Sequence, residues 1–308
     1  MAYPRLIVLG SVNADHVLQV DNFPRPGETV TGHGYQIIPG GKGANQAVAA
    51  ARLGAEIGFI ACVGDDDFGR RMINEFQQDG IETSAVMTVE GLPTGIALIQ
   101  IAAGGENAIS ISAEANAALT PEALQPHLGL IREAETLLMQ LESPLETIEL
   151  AAKEARAAGT KVILNPAPAR ALPDSLLANL DMITPNETEA ELLTGVKVKS
   201  EEDAAMAACV LHGKGVETVL ITLGEKGAFL SRAEGKKLIG GYTVKAVDTT
   251  AAGDTFNGAL VASMQKGASL ERAIGFAHGA AAISVTRLGA QTSIPSLEEV
   301  NKFIKDNS

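Results

Sequence analysis

Short apolar runs alternate with amphipathic helical stretches along most of the chain. Residues 5–10 and 56–63 read as buried strands, and residues 136–141, 161–165, 182–184 and 218–223 repeat the pattern. Between them lie helices with legible ends. Ser143-Pro144-Leu145-Glu146 has the form of a capping box with proline in the first turn, and Gly159 closes that helix. Ser200-Glu201-Glu202-Asp203 opens another, closed by Gly213 and Gly215. Near-continuous apolar strands separated by helices predict a mainly parallel sheet covered on both faces, a doubly wound α/β fold. Two stretches break the alternation. Residues 12–39 are extended and carry Pro24, Pro26 and several glycines, while residues 94–102 and 107–112 read as strands joined by Ala103-Gly104-Gly105-Glu106. These segments predict a small antiparallel sheet, either a lid over a site or an edge of the main sheet. No repeat or linker divides the chain, so a single domain over residues 1–308 is expected.

Composition then removes whole classes. With 46% hydrophobic and 20% charged residues, the chain is neither disordered nor a coiled coil. Cys62 and Cys209 lie far apart without metal or redox spacing. The net charge of −13, from 24 basic against 37 acidic residues, argues against nucleic acid and against anionic membrane surfaces as partners. Met-Ala-Tyr-Pro-Arg precedes an apolar run too short for a signal-peptide core, and no run of ~18 apolar residues follows, so a cytoplasmic location is expected.

No P-loop, dinucleotide fingerprint, nucleophile elbow or zincin motif is present, and the five histidines are scattered. The strongest local signal is Asp248-Thr249-Thr250-Ala251-Ala252-Gly253-Asp254-Thr255-Phe256-Asn257-Gly258, which follows an extended piece and leads into a helical run over 256–265. Small residues at 251–253 leave the amides of a helix start uncovered, an anion site beside which Asp254 is suited to act as a base. An ordinary aspartate-capped helix is the alternative. Pro39-Gly40-Gly41-Lys42-Gly43-Ala44-Asn45-Gln46, entering a helix over 47–52, reads as a ligand-holding turn or simply a flexible one. Asn13-Ala14-Asp15, Glu142, Asn186 and the run Thr222-Leu223-Gly224-Glu225-Lys226-Gly227 each follow a predicted strand at its C-terminal end, where ligands bind in open α/β sheets. Asn186 with Glu189 is equally a capping box.

Over its whole length the chain resembles the ribokinase-type carbohydrate kinase family. The matching pieces include Gly40 to Gln46, Gln140-Leu141-Glu142-Ser143-Pro144, Asn165-Pro166-Ala167-Pro168-Ala169, Thr184-Pro185-Asn186-Glu187-Thr188-Glu189 and, most specifically, Asp248 to Gly258. The resemblance implies ATP-dependent phosphorylation of D-ribose at its 5-hydroxyl, with Mg2+ accompanying ATP and K+ as an activating cation. It implies that Asn13, Ala14, Asp15, Gly41, Lys42, Gly43, Ala44, Asn45 and Glu142 surround the sugar. Asp254 is then the base, and Ala251, Ala252 and Gly253 form the anion hole. Asn186 and Glu189 organise phosphates and, indirectly, magnesium; Thr222, Leu223, Gly224, Glu225, Lys226, Gly227 and His278 border the nucleotide. The cation falls to Asp248, Thr250, Ser284, Arg287, Gly289 and Ser293, largely through carbonyls. Segments 12–39 and 94–112 become a lid that pairs two subunits into a homodimer.

In one place the chain departs from the family: Ala113-Glu114-Ala115-Asn116 carries Glu114 where a glycine is usual. A sibling sugar or nucleoside kinase is the alternative function, although aromatic residues at 4% with no tryptophan offer little surface for stacking a base. A non-catalytic sensor on the same fold would have no use for Asp254.

Overall fold

The computed structural model describes residues 4–307; Met1, Ala2, Tyr3 and Ser308, at the ends of the expected domain, lie outside the described residues. β1 (Leu6–Leu9) shows how the fold is built. Its Leu6 and Val8 enter one hydrophobic core and its Ile7 and Leu9 the other, because successive side chains of a strand point to opposite faces. The first core is completed by the helices Lys42–Arg52, Ala252–Gln265 and Leu270–Ser284, and the second by Leu145–Ala158 and Glu201–Gly213. Two cores on one sheet require apolar residues at every strand position, which is why these strands read as continuous runs.

The sheet has nine strands. From one edge they run β13 (Gly235–Ile239), β12 (Ala228–Arg232), β11 (Thr218–Thr222), β10 (Met182–Ile183), β9 (Lys161–Leu164), β8 (Thr136–Met139), β1, β4 (Ile57–Gly64) and β5 (Val86–Val89). All neighbours from β11 to β5 are parallel, and β12 and β13 are antiparallel additions. The chain moves outward from β1 to β4 and β5, then returns to β8 on the opposite side of β1. That reversal opens a crevice at the C-terminal ends of β1 and β8, where ligands bind in open α/β sheets.

The extended segments form a separate four-stranded sheet, ordered β3 (His33–Gly40), β2 (Asn13–Val20), β6 (Gly95–Ala102) and β7 (Asn107–Ser112). Its outer pairs are antiparallel, and the central pair β2–β6 is parallel. Cys62 is buried, Cys209 is exposed, and both are free thiols. Among the described residues no helix is long and apolar enough to cross a membrane.

Two helices begin several residues before the point their apolar periodicity predicts, at Lys42 and at Ala252. Local sequence offers the Lys42 helix no cap, since its N-cap is Gly41. Distant groups serve instead: the amide of Lys42 donates to Glu142, that of Gly43 to the Ser11 hydroxyl and that of Ala44 to the Ser11 carbonyl. The capping box expected at Ser143 does not form. Pro144 is the N-cap and Leu145 the first helical residue, so Ser143 sits one position too early and its buried hydroxyl has no hydrogen-bond partner. The caps at Ser200 and Asn186 form as full capping boxes, and Gly159 closes its helix in the left-handed region.

Glu114 adopts φ of +46°, keeping the left-handed backbone of a glycine despite its Cβ, while the Ser112 hydroxyl donates to its carboxylate. A left-handed residue with a side chain costs roughly 1–2 kcal/mol, partly offset by the greater freedom glycine has when unfolded. Glu114→Gly is therefore expected to stabilise the protein by about 0.5–1 kcal/mol, read as a higher urea midpoint at unchanged slope. A lower midpoint would mean that the Ser112 contact outweighs the backbone strain.

Candidate active site

The crevice is furnished from both sheets. Asn13 and Asp15 stand at the start of β2, which Gly10, Ser11 and Val12 separate from the end of β1 and its two-core packing. A Cβ on Gly40 would collide with the Asp15 carboxylate, and one on Gly95 with Asn13 Oδ1 and Asn116 Nδ2. These two glycines are thus dictated by side chains that lean across the sheet. Asn116 donates to Asn13 Oδ1 at 2.8 Å and its own oxygen accepts the Val12 amide at 2.9 Å, which fixes the entry to β2. Glu142, after β8, accepts from the Ser11 hydroxyl at 2.6 Å and from the amide of Lys42 at 3.0 Å. It lies at the positive end of the helix dipole that it caps.

Asp254 faces this group from the first turn of the Ala252 helix. The N-cap Ala251 is left-handed at φ 57° and gives no side-chain cap; the amide of Ala252 donates to the Thr249 carbonyl at 3.2 Å and that of Thr255 to the Ala251 carbonyl at 2.8 Å, which leaves those of Gly253 and Asp254 for a ligand. A Cβ at Gly253 would meet nothing within 4 Å, which marks open space above the turn. Ala251, Ala252, Gly253 and Asp254 line a cavity of about 200 Å³ together with Lys42, Asn186, Glu189 and Thr222. An adjoining hollow of about 310 Å³ shares Thr249 and Ala252 with it and is bordered by Gly224, Glu225, Tyr242, Val244 and His278. Asn13 and Glu142 also line a third hollow, of about 340 Å³.

Other predicted residues serve the frame. Gly43 and Ala44 are buried where their helix meets Gly10 and Ser11, and Ala14 is buried in β2. Gly227 holds a left-handed turn against the carbonyl of Ile239, and Lys226 is exposed. Asp248 accepts the amides of Thr250 and Gly289, each at 2.9 Å, and so ties together the two turns that contain Thr250 and Arg287–Gly289. Ser284 and Ser293 donate their hydroxyls to the carbonyls of Ala281 and Ala290.

Charge is concentrated here. Burial, then Glu142 and Asp254, push Asp15 up to about 7, and Lys42 offsets only part of this. Burial works against the Lys42 ammonium, yet Asp254, Glu142, Glu189 and Asp15 together hold it above its ordinary value. Burial also raises Glu189, against the Asn186 amide and Lys42. His278 is pushed down to about 4 by burial and is a neutral imidazole at pH 7. Hydrogen bonds to Thr250 and Gly289 overcome the opposing effect of burial and keep Asp248 low.

Several residues of the site carry no signal of their own in the sequence. Ser11, Gln46, Asn116, Gln140 and Asn165 are all buried polar residues whose side chains have at least one partner about 90 or more positions away, and the nearest of those side chains' other partners, Thr184 for Asn165 and Gly43 for Ser11, are still 19 and 32 positions off. Position inside the motif stretches hinted at all of them but Ser11, which lies just before Asn13-Ala14-Asp15.

Residues 4–297 match the model of the pfkB family carbohydrate kinases, and the chain belongs to that family. It is 54% identical to the ribokinase of Haemophilus influenzae over 97% of this chain and 98% of that protein. Among solved structures, the ribokinase of Thermotoga maritima superposes with a TM-score of 0.90 at 42% identity, covering 98% of this chain and 100% of its own. The Arabidopsis thaliana ribokinase, solved with ribose and ATP, gives a TM-score of 0.93 at 34% identity and covers 99% of both chains.

The raised Asp15 has a consequence for stability. Unfolded, the group loses its proton near 3.8; folded, it holds it to about 7, so its contribution to stability falls as pH rises between those values. Asp15→Asn is expected to stabilise the ligand-free protein by about 1–3 kcal/mol at pH 8, a gain that shrinks towards pH 4. Thermal midpoints of both proteins across that range check it; a gain independent of pH would show that ionisation of Asp15 is not its source.

Proposed function

We propose that this protein transfers the γ-phosphoryl group of ATP to the 5-hydroxyl of D-ribose, giving D-ribose 5-phosphate, with Asp254 as the base. The observation that carries the reading is a buried carboxylate in the first turn of an uncapped helix, on the wall of a cavity it shares with Lys42, Asn186 and Glu189. The Haemophilus protein is named a ribokinase, and the Arabidopsis ribokinase was solved with ribose and ATP, which supports the same substrates here.

The sugar oxygen attacks the γ-phosphorus while its proton passes to Asp254. The bond from phosphorus to the β,γ-bridging oxygen breaks, and ADP leaves with that electron pair. Charge spread over the transferring phosphoryl meets the amides of the Ala251-Ala252-Gly253 turn, whose orientation is fixed before reaction; of these the Ala252 amide is already donated to the Thr249 carbonyl, so those of Ala251 and Gly253 face the charge. Asn13, Asp15, Gly41, Lys42, Asn45 and Glu142 suit a polyol, because carboxylates and amides accept and donate to paired hydroxyls. The hollow beside His278 and Gly224 has the less polar walls that an adenine needs, and a neutral His278 fits there.

Among the described residues no cluster of three or more His, Cys, Asp or Glu forms a metal cage. That suits magnesium, which keeps its waters and arrives on nucleotide phosphates with one or two carboxylates nearby. Glu189, one oxygen of which accepts the Asn186 amide, is the carboxylate on the cavity wall. Magnesium bound with ATP would neutralise phosphate charge. The four-stranded sheet is read as a lid, part of one domain with the main sheet. Its exposed Tyr35, Ile37, Leu98, Ile109 and Ile111 suit a homodimer contact.

Asp254→Asn keeps the fold and slows turnover by about 10²–10⁴-fold, since an amide cannot take the proton. Coupled ATP consumption across pentoses, hexoses and nucleosides tests the substrate: fastest turnover on anything other than ribose would overturn the reading.

A potassium site belongs to the same reading. Each Asp248 oxygen accepts one amide and keeps lone pairs for a cation, to which the family resemblance adds carbonyls of Thr250, Ser284, Arg287, Gly289 and Ser293. Potassium is expected to activate more than sodium in Tris buffer, and Asp248→Ala to abolish the difference. Equal wild-type rates in the two salts would reject the site.

A further inference from the structure

Behind Asp254 lies a chain of buried amides that no step so far has used. Gln46 is fully buried, with 0% of its surface exposed. Its Nε2 donates to Asp254 Oδ1 at 2.9 Å and to Asn165 Oδ1 at 3.0 Å, and its Oε1 accepts from Gln140 Nε2 at 2.6 Å. Asn165 Nδ2 is in turn spent on the Thr184 carbonyl, at 3.2 Å. Gln46 therefore has no freedom to flip. An ionised Asp254 only accepts, and Asn165 presents its oxygen, so the amide nitrogen must point to both. Gln140 has its place because residue 10 is glycine; a Cβ there would overlap its side-chain amide. From Thr184 the chain runs on through its hydroxyl to Asn257 Oδ1 at 2.7 Å, and Asn257 Nδ2 donates to the Gly253 carbonyl beneath the anion hole at 2.9 Å.

We infer that Gln46, oriented by Gln140 and Asn165, is a positioning residue that fixes the Asp254 carboxylate and leaves Oδ2 as the atom that takes the sugar's proton. The inference rests on the reading of Asp254 as base. The other donor to Asp254 behaves differently. Asn45 Nδ2 donates to Oδ2 at 3.0 Å, but Asn45 Oδ1 is buried without a partner, so this side chain has an unspent acceptor with which to exchange onto a bound hydroxyl. Gln46 has no polar atom left for a ligand and stays on Oδ1 throughout. An oxygen already engaged by an N–H is the poorer proton acceptor, and Oδ2 is the one exposed when Asn45 turns to substrate. A carboxylate free to rotate would lose this division of labour, and a base misplaced by ~1 Å loses much of its rate.

The test is a double-mutant cycle on the full-length enzyme, with single-turnover phosphorylation of ribose as the readout. Gln46→Met fills the space without donating. It is expected to slow transfer by about 10-fold or more while leaving the KM values for ribose and ATP within about twofold. In an Asp254→Asn background, where no base remains to be positioned, the same change should cost less than about twofold. Equal losses in both backgrounds, or a Gln46→Met rate within about twofold of wild type, would overturn the inference while leaving Asp254 as base. If Asp254→Asn itself turned over at the wild-type rate, the base reading would fall, and Gln46 would have nothing to position. Should Gln46→Met fail to fold, Gln140→Leu, which removes the group that orients Gln46, carries the same comparison with the same two outcomes.

Discussion

Four carboxylates, Asp15, Glu142, Glu189 and Asp254, share one crevice with a single ammonium, Lys42. Charge that is taken from water must be met by protein groups, or it neutralises itself. Most of the local architecture answers that demand. Glu142 sits on the amide end of a helix, Glu189 on the amide of Asn186, and Asp254 between two side-chain amides. Among the described residues Asp15 has no such donor, and its proton affinity rises to about 7; burial raises Glu189 as well, against its one amide. An acidic chain of net charge −13 can hold a polyanionic nucleotide only where local dipoles outweigh its overall field, and in the proposed reaction the start of the Ala252 helix, which has no side-chain cap, is that place.

How much of this was legible from residues alone follows from where each partner lies. The strands were legible because burial on both faces leaves an unbroken apolar run, and β1 shows it in four residues. Asp254 was legible because helix start, small residues and carboxylate are contiguous. The true start of the Lys42 helix was not, since Ser11 and Glu142 supply its caps from elsewhere in the chain, and the Ala252 helix starts without any side-chain cap to read. The box at Ser143 failed for the opposite reason: the local pattern was present, but proline took the cap position and left the serine outside. Gln46 and Gln140 lie 94 positions apart, and no periodicity links them. Polar residues in a core are specified by three-dimensional complementarity, which a linear pattern does not encode.

Glu114 makes a related point about backbone. Family resemblance flagged the missing glycine, but only the conformation, φ of +46°, says that the chain kept the glycine geometry and absorbed the strain. The reason lies two residues on, where Asn116 holds Val12 and Asn13. A relaxed backbone at residue 114 would carry that amide away from the entry to β2.

The same β2 strand has a mechanical consequence. It begins inside the crevice with Asn13 and Asp15 and ends as the central strand of the smaller sheet, bonded to β3 on one side and β6 on the other. Only Gly10, Ser11 and Val12 separate it from the rigid floor of β1. Those three are themselves held, Gly10 by the Ile60 carbonyl, Ser11 by Glu142 and the Lys42 helix, and Val12 by Asn116, so the smaller sheet is anchored to the floor through the same residues that border the crevice. In the proposed reaction, a ligand seated against Asn13 and Asp15 therefore presses directly on the central strand of the smaller sheet.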